Sequence, residues 1–156
     1  MITAENAVQK SYVLLQMGDR RFAMPARSVS ELAPPVRLHE FPHTSPLVVG
    51  IIVRRGRMIP VYDIAPILTG QSPFTHRFYL VAQREFGAVS EPSAIPVSGE
   101  CELAVAELQP RTAADPAYIA GSLQIDGEDI KALDLEALVA SHAIGANQTD
   151  SGVALL

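Results

Sequence analysis

The feature that most constrains this chain is an internal repeat. Val48, Gly50, Ile52, Gly56, Ile59, Asp63, Ile64 and Leu68 recur as Ile119, Gly121, Leu123, Gly127, Ile130, Asp134, Leu135 and Val139, each 71 positions later and without a gap. Upstream, segments ending at Gly18 and Gly87 pair at a similar offset of 69. Alternating apolar residues on both sides of a tight turn, followed by a short helical start, describe a hairpin closed by a helix. Two such units within 156 residues leave neither with enough surface to bury alone, so the halves must pack on one another.

The rest of the chain agrees with many short strands. Strands are predicted over 12–17, 21–24, 28–32, 48–53, 58–62, 77–84, 101–108, 119–125 and 129–133. Asp126-Gly127 is a strong turn dipeptide between the last two. Helical segments are predicted from Asp63 through Leu68 and over 135–141. Proline-bearing residues 33–47 read as an ordered connection, and residues 87–99 carry no clear pattern. With 48% apolar and 19% charged residues, disorder is excluded, and the absence of Trp makes the core aliphatic. The chain therefore reads as mainly β. Two pseudo-repeated five-stranded barrels with short helices would be built from units of about 11–70 and 76–141. Residues 1–10 and 142–156 read as loose tails.

The repeat sorts residues by role. Features present in both halves serve the shared frame. Gly50 and Gly121 are expected to permit a bulge or a close backbone approach. Asp63 and Asp134 are expected to cap helices. Features of one half only are free for function, and the clearest is Arg54-Arg55, which stands against Ile125-Asp126. With Arg57 these form the one basic concentration in a chain of net charge −5. Arginine favours protein interfaces through its forked donors and stackable plane. The acidic balance argues against a nucleic-acid partner.

Catalytic motifs fail on inspection. His39-Glu40-Phe41-Pro42-His43 spells the H-E-x-x-H of zinc proteases, but that chemistry needs both histidines on one helix face, and Pro42 interrupts the interval. No P-loop, dinucleotide fingerprint, nucleophile elbow or C-x-x-C occurs, and no metal or cofactor is expected. Cys101 lies in an apolar strand context and reads as an inert buried thiol. No apolar run is long enough to span a membrane and no secretory signal opens the chain, so a cytoplasmic protein is expected. A small β-barrel enzyme, most simply a hydrolase, and a nucleic-acid-binding barrel stand as alternatives to a protein-binding role.

The segment Gly50-Ile51-Ile52-Val53-Arg54-Arg55-Gly56-Arg57-Met58-Ile59-Pro60-Val61-Tyr62-Asp63-Ile64 resembles the central signature of CheW-like domains, roughly G-x-x-N-L-R-G-x-x-x-P-V-x-D-L. Residues 12–24 resemble the opening hairpin of that family, Val29-x-Glu31-Leu32 its V-x-E-I segment, and residues 118–135 its closing half. The resemblance spans about residues 11–141. It implies two SH3-like barrels and a non-enzymatic adaptor of bacterial chemosensory arrays. Such an adaptor bridges the tips of methyl-accepting chemotaxis receptors to the regulatory domain of a CheA-type histidine kinase, itself a CheW-like domain. The receptor tip would dock in an apolar groove between the barrels. By position, Val53, Arg54, Arg55 and Gly56 resemble the segment tied to receptor coupling, and Val29 and Glu31 a segment linked to adaptor function. The family's Asn-Leu is Val53-Arg54 here, which adds a charge. Residues 88–99 depart from the family's second-barrel hairpin, so an adaptor of a pilus-motility pathway is a variant of the same reading.

Overall fold

The computed structural model describes residues 8–40, 47–70, 78–86 and 88–142. The strands are β1 (Gln9–Met17), β2 (Arg20–Pro25), β3 (Val29–Ala33), β4 (Val48–Arg54), β5 (Arg57–Tyr62), β6 (Phe78–Phe86), β7 (Val89–Val97), β8 (Glu102–Glu107), β9 (Gln109–Pro110), β10 (Ile119–Ile125) and β11 (Glu128–Leu133). A 3-10 turn at Ala26–Ser28 joins β2 to β3, helix α1 (Ala65–Thr69) follows β5, and helix α2, over 135–142, follows β11. The chain is mainly β with short helices, as its periodicity predicts.

Two sheets form, in the orders β8-β1-β2-β11-β10-β9 and β3-β6-β7-β5-β4. Their plans are the same. In each, an edge strand flanks a hairpin, and that hairpin meets a second hairpin side by side. Ala23 of β2 registers in parallel with Ala132 of β11, and Ala94 of β7 with Val61 of β5. Positions 61 and 132 are a repeat pair, and 23 and 94 are likewise 71 positions apart. The hairpins are exchanged between the halves. β1–β2 from the first half completes the sheet of β8–β11, and β6–β7 from the second half completes the sheet of β3–β5. The boundaries at 11–70 and 76–141 thus follow the repeat and not the sheets.

The exchange explains why the central strands are apolar on both faces. Tyr12, Leu14 and Ala23 face a core within the first sheet with Leu123 and Ile130. Tyr79, Val81 and Ala94 face the matching core of the second, with Ile52 and Ile59. The alternate residues Val13, Leu15, Phe22, Leu80 and Ile95 point into a third cluster that also takes Ile64 and Leu68 from the α1 segment and Leu138 from α2. Successive side chains of a strand point to opposite faces, so a strand between two cores must be apolar throughout.

Both predicted glycine features are present. The β4–β5 ladder shifts register between Val48 and Gly50, and the β10–β11 ladder between Ile119 and Gly121. A Cβ on Gly50 would lie 2.5 Å from the His39 carbonyl oxygen, and one on Gly121 would collide with the Gln109 carbonyl oxygen. The two aspartates differ. The Asp63 amide donates to Leu47 O and the Asp134 amide to Tyr118 O, an equivalent pair. Asp134 Oδ1 also accepts from the Ala137 amide at 3.0 Å, the expected cap. At α1 the N-cap position is Ile64, one residue later, with no side-chain cap bond, so the cap expected from Asp63 is corrected. Pro66 in the first turn needs no amide donor there, which suits a start made without a side-chain cap.

Within the stretch 87–99 that carries no clear pattern, residues 89–97 are strand β7, paired with β6 along its whole length. Pro92 and Pro96 hide it, because proline lacks a ladder amide. On its other side β7 registers with β5 only at Ala94, so few ladder bonds are demanded there. Residues 1–7 and 143–156, and the segment 71–77, lie outside the described residues.

Candidate functional site

Hairpin β4–β5 turns through Arg55 and Gly56, at φ 55° and 76°. Asp126 and Gly127 turn β10–β11 at 51° and 79°. Two successive positive φ values give the type I′ turn, whose twist matches the flanking strands. Aspartate tolerates this region, whereas a long side chain with an ordinary Cβ is rarer there. The turn of β4–β5 thus carries an arginine where its counterpart carries an aspartate.

The neighbouring arginine has a structural partner. Arg54 Nε donates to Glu31 Oε1 at 3.0 Å, and both side chains are about a quarter exposed. Arg55 Nε stands 3.9 Å from Glu31 Oε2, an ion-pair distance too long for a hydrogen bond, and its side chain is 77% exposed. Glu31 thus neutralises Arg54 and leaves the Arg55 guanidinium facing outward. At the equivalent seam of the other sheet, Ala104 and Ile125 pack against the core instead. The difference noted between Arg54-Arg55 and Ile125-Asp126 is therefore one polar seam against one apolar seam.

Val29 and Glu31 line a groove of about 390 Å³ together with Val13, Leu32, Leu80 and Leu103. It runs between β3, an edge strand of one sheet, and β8, an edge strand of the other. Its lining is mostly aliphatic and includes Glu31 and Glu102. Cys101 also lines it, with burial pushing its thiol up to about 11, so it stays protonated near neutral pH. Val53 and Met58 register across the β4–β5 hairpin and are both exposed, Met58 at 71%.

The structure brings Val29, Glu31, Arg54 and Arg55 into one region, with Val53 and Gly56 on the same hairpin. Gly50, Asp63, Gly121 and Asp134 belong to the frame. Sequence reasoning missed Arg84, which is 6% exposed on β6. It donates to the Tyr62 hydroxyl at 2.8 Å and to Glu136 of α2 at 3.2 Å, tying the second sheet to the helix that follows the first. The signal was a charged residue at the end of the apolar run Phe78–Ala82. The exposed Leu103 and Val105 of β8 were also missed, because their alternation is that of any half-buried strand.

The H-E-x-x-H spelling does not make a metal site of its first member. His39 exchanges backbone hydrogen bonds with Ile51 at 2.8 and 2.9 Å, a β-bridge and not a helix turn. His43 lies outside the described residues. Among the described residues no group of three potential metal ligands converges, and no helix is long and apolar enough to cross a membrane.

Comparison with known proteins follows the same line. A family model described as CheW-like domain matches residues 11–143. No curated protein matches the chain. Among solved structures, the scaffolding protein TtCheW from Thermoanaerobacter tengcongensis is similar with a TM-score of 0.69 at 19% identity, over 82% of this chain and 86% of that one. The structural likeness supports the fold. The family match removes the small-barrel enzyme alternative, since the family is one of non-catalytic scaffolds. With a family signature at Gly50–Ile64, the paired sheets around a groove, and a match across most of its length, the chain belongs to the CheW-like domain family of chemotaxis scaffold and adaptor domains.

Proposed function

We propose that residues 11–141 form a cytoplasmic adaptor. It would couple the tips of methyl-accepting chemotaxis receptors to the regulatory domain of a CheA-type histidine kinase. One observation carries this reading: the aliphatic groove between β3 and β8 has Glu31 in its wall and the outward-facing Arg55 beside it. An apolar trough of this kind suits the apolar face of a helical partner, with anchors at helical spacing. Arg55 adds an oriented polar contact and fixes register more than it adds affinity.

The work is geometric. One surface holds the receptor and another holds the kinase. A receptor biases the kinase only through the difference in contact free energy between its signalling states. No catalytic residue, cofactor, nucleic acid or membrane insertion enters the scheme. Calorimetric titration against the kinase regulatory domain and against a receptor-tip fragment from the same cell tests it. Saturable one-to-one binding of each supports the adaptor. Binding of neither by the folded domain removes the coupling role.

A further inference from the structure

A second cavity, of about 330 Å³, opens where the two sheets and α2 meet, and it shares no lining residue with the β3–β8 groove. The start of β1, the end of β2, the 3-10 turn, the end of β6 and the start of α2 all contribute to its wall. Its apolar lining comes chiefly from Met24, Leu108, Leu133 and Leu135. Small-molecule sites run from roughly 300 to 1,000 Å³, so this one has room for a single compact ligand.

Tyr12 is the most informative of its residues. It is 4% exposed, yet its hydroxyl has no hydrogen-bond partner among the described residues. Those residues include no fully buried side-chain oxygen without a partner, so the hydroxyl is the part of Tyr12 left open. The open space that Tyr12 lines is this cavity. A packed tyrosine ring ordinarily finds a partner for its hydroxyl, and here the described residues supply none.

The cavity carries charges of both signs. Lys10 and Arg27 lie at one end of the β1–β2 ladder, where Tyr12 registers with Pro25. Neither has an ion-pair partner among the described residues. Three carboxylates line the same space from β6 and α2: Glu85, Asp134 and Glu136. Glu136 is already held by Arg84 at 3.2 Å. Asp134 spends Oδ1 on the cap of α2 and keeps Oδ2. The Glu85 carboxylate has no partner among the described residues. A plain anion would meet Glu85 and Asp134, and a plain cation would meet Lys10 and Arg27, so each is disfavoured. A ligand bearing both charges satisfies both sets.

We propose that this cavity binds a free α-amino acid with an apolar side chain. The ligand carboxylate takes Arg27, Lys10 and the Tyr12 hydroxyl, since a guanidinium fork suits a carboxylate. The ammonium takes Glu85 and Asp134 Oδ2, and the side chain rests on Met24, Leu133 and Leu135. The bound ligand touches both sheets and α2, so it stabilises their junction. The inference does not rest on receptor or kinase binding.

Amide NMR of the whole chain, titrated with L-leucine and with L-phenylalanine, tests it. Saturable shifts are expected at Tyr12, Ala120 and Leu135, while Leu32 and Leu103 of the β3–β8 groove stay fixed. Leucinamide lacks the carboxylate and N-acetyl-leucine lacks the ammonium, and each is expected to bind at least ~10-fold more weakly than leucine. Arg27 and Glu85 are exposed, so Arg27→Ala and Glu85→Gln keep the fold, which thermal melts check. Arg27→Ala is expected to weaken leucine ~10-fold and leave leucinamide as it was. Glu85→Gln is expected to weaken leucine and leave N-acetyl-leucine as it was. Absence of shifts at the cavity up to ~10 mM of either amino acid overturns the proposal. Leucinamide or N-acetyl-leucine binding as tightly as leucine overturns it too, since the site then reads one charge only. Shifts confined to the β3–β8 groove overturn it as well.

Discussion

Glu31 and Arg54 stand on strands at opposite ends of a five-strand order, yet their side chains meet at 3.0 Å. The sheet curls enough to bring its two end strands within side-chain reach, and the ion pair spans them. Glu31 also faces the groove, so seam and groove share one carboxylate.

The two adjacent arginines are expected to separate on mutation. Arg54→Ala leaves a partly buried carboxylate without its donor and lowers stability by about 1 kcal/mol. Arg55→Ala leaves the melting temperature nearly unchanged, because an exposed side chain is lost. Receptor-tip affinity responds in the opposite order, with Arg55→Ala the more damaging. Urea denaturation and titration on the same preparations check both. An Arg55→Ala protein that unfolds would make Arg55 structural.

Gly50→Ala and Gly121→Ala each place a Cβ against a carbonyl oxygen of a neighbouring segment. Overpacking against backbone is expected to cost about 2 kcal/mol or more in each. Gly56→Ala is the control, since nothing lies within 4 Å of its added Cβ. Its positive φ alone costs roughly 1 kcal/mol. Chemical denaturation of the three variants gives the order directly.

Arg84 is nearly buried and Glu136 is its carboxylate partner. Glu136→Ala is expected to destabilise by about 1–2 kcal/mol, since the nearly buried Arg84 loses its carboxylate while Glu136 itself is 43% exposed. Glu102→Ala, which removes an exposed partner of Arg21, is expected to cost under ~1 kcal/mol. The contrast in melting temperature between the two variants checks the assignment.

The Cys101 thiol, raised to about 11 by burial, is expected to alkylate slowly at pH 8 and faster as pH climbs. In the unfolded chain it ionises near ~8.5. Above that value the unfolded state sheds the proton first, so stability falls as pH rises from there toward 11. Alkylation rates with and without urea, and melts of Cys101→Ala across the same range, read this out. A folded protein that alkylates as fast as the unfolded one would contradict it.

The hairpins β4–β5 and β10–β11 were legible because their repeat runs without a gap and each half repeats the other's bulge. The Gly50 and Gly121 approaches followed from residue type alone. β7 was not legible, since Pro92 and Pro96 suppress a strand pattern whose partner, β6, supplies the order. The cap at Asp63 failed although the cap at Asp134 held, because the first helix starts one residue later behind Pro66. The pairing of Arg54 with Glu31 could not be read, since only the closing of the sheet brings β3 to β4. The exchange of hairpins was hidden for a similar reason. A repeat shows which segments are alike but not which half each one pairs with.

That exchange has a consequence for how the polypeptide is made. Hairpin β1–β2 is made well before its sheet neighbours β8 and β11, which lie at 102–107 and 128–133. Strands β3 to β5 in turn wait for 78–97. Neither sheet can be completed while the nascent chain holds only its first half, so N-terminal-first folding of a finished unit is closed to this topology. The emerging strands keep open edges and long-range pairings until β11 has been made, a condition that favours slow closure and a need for protection during synthesis.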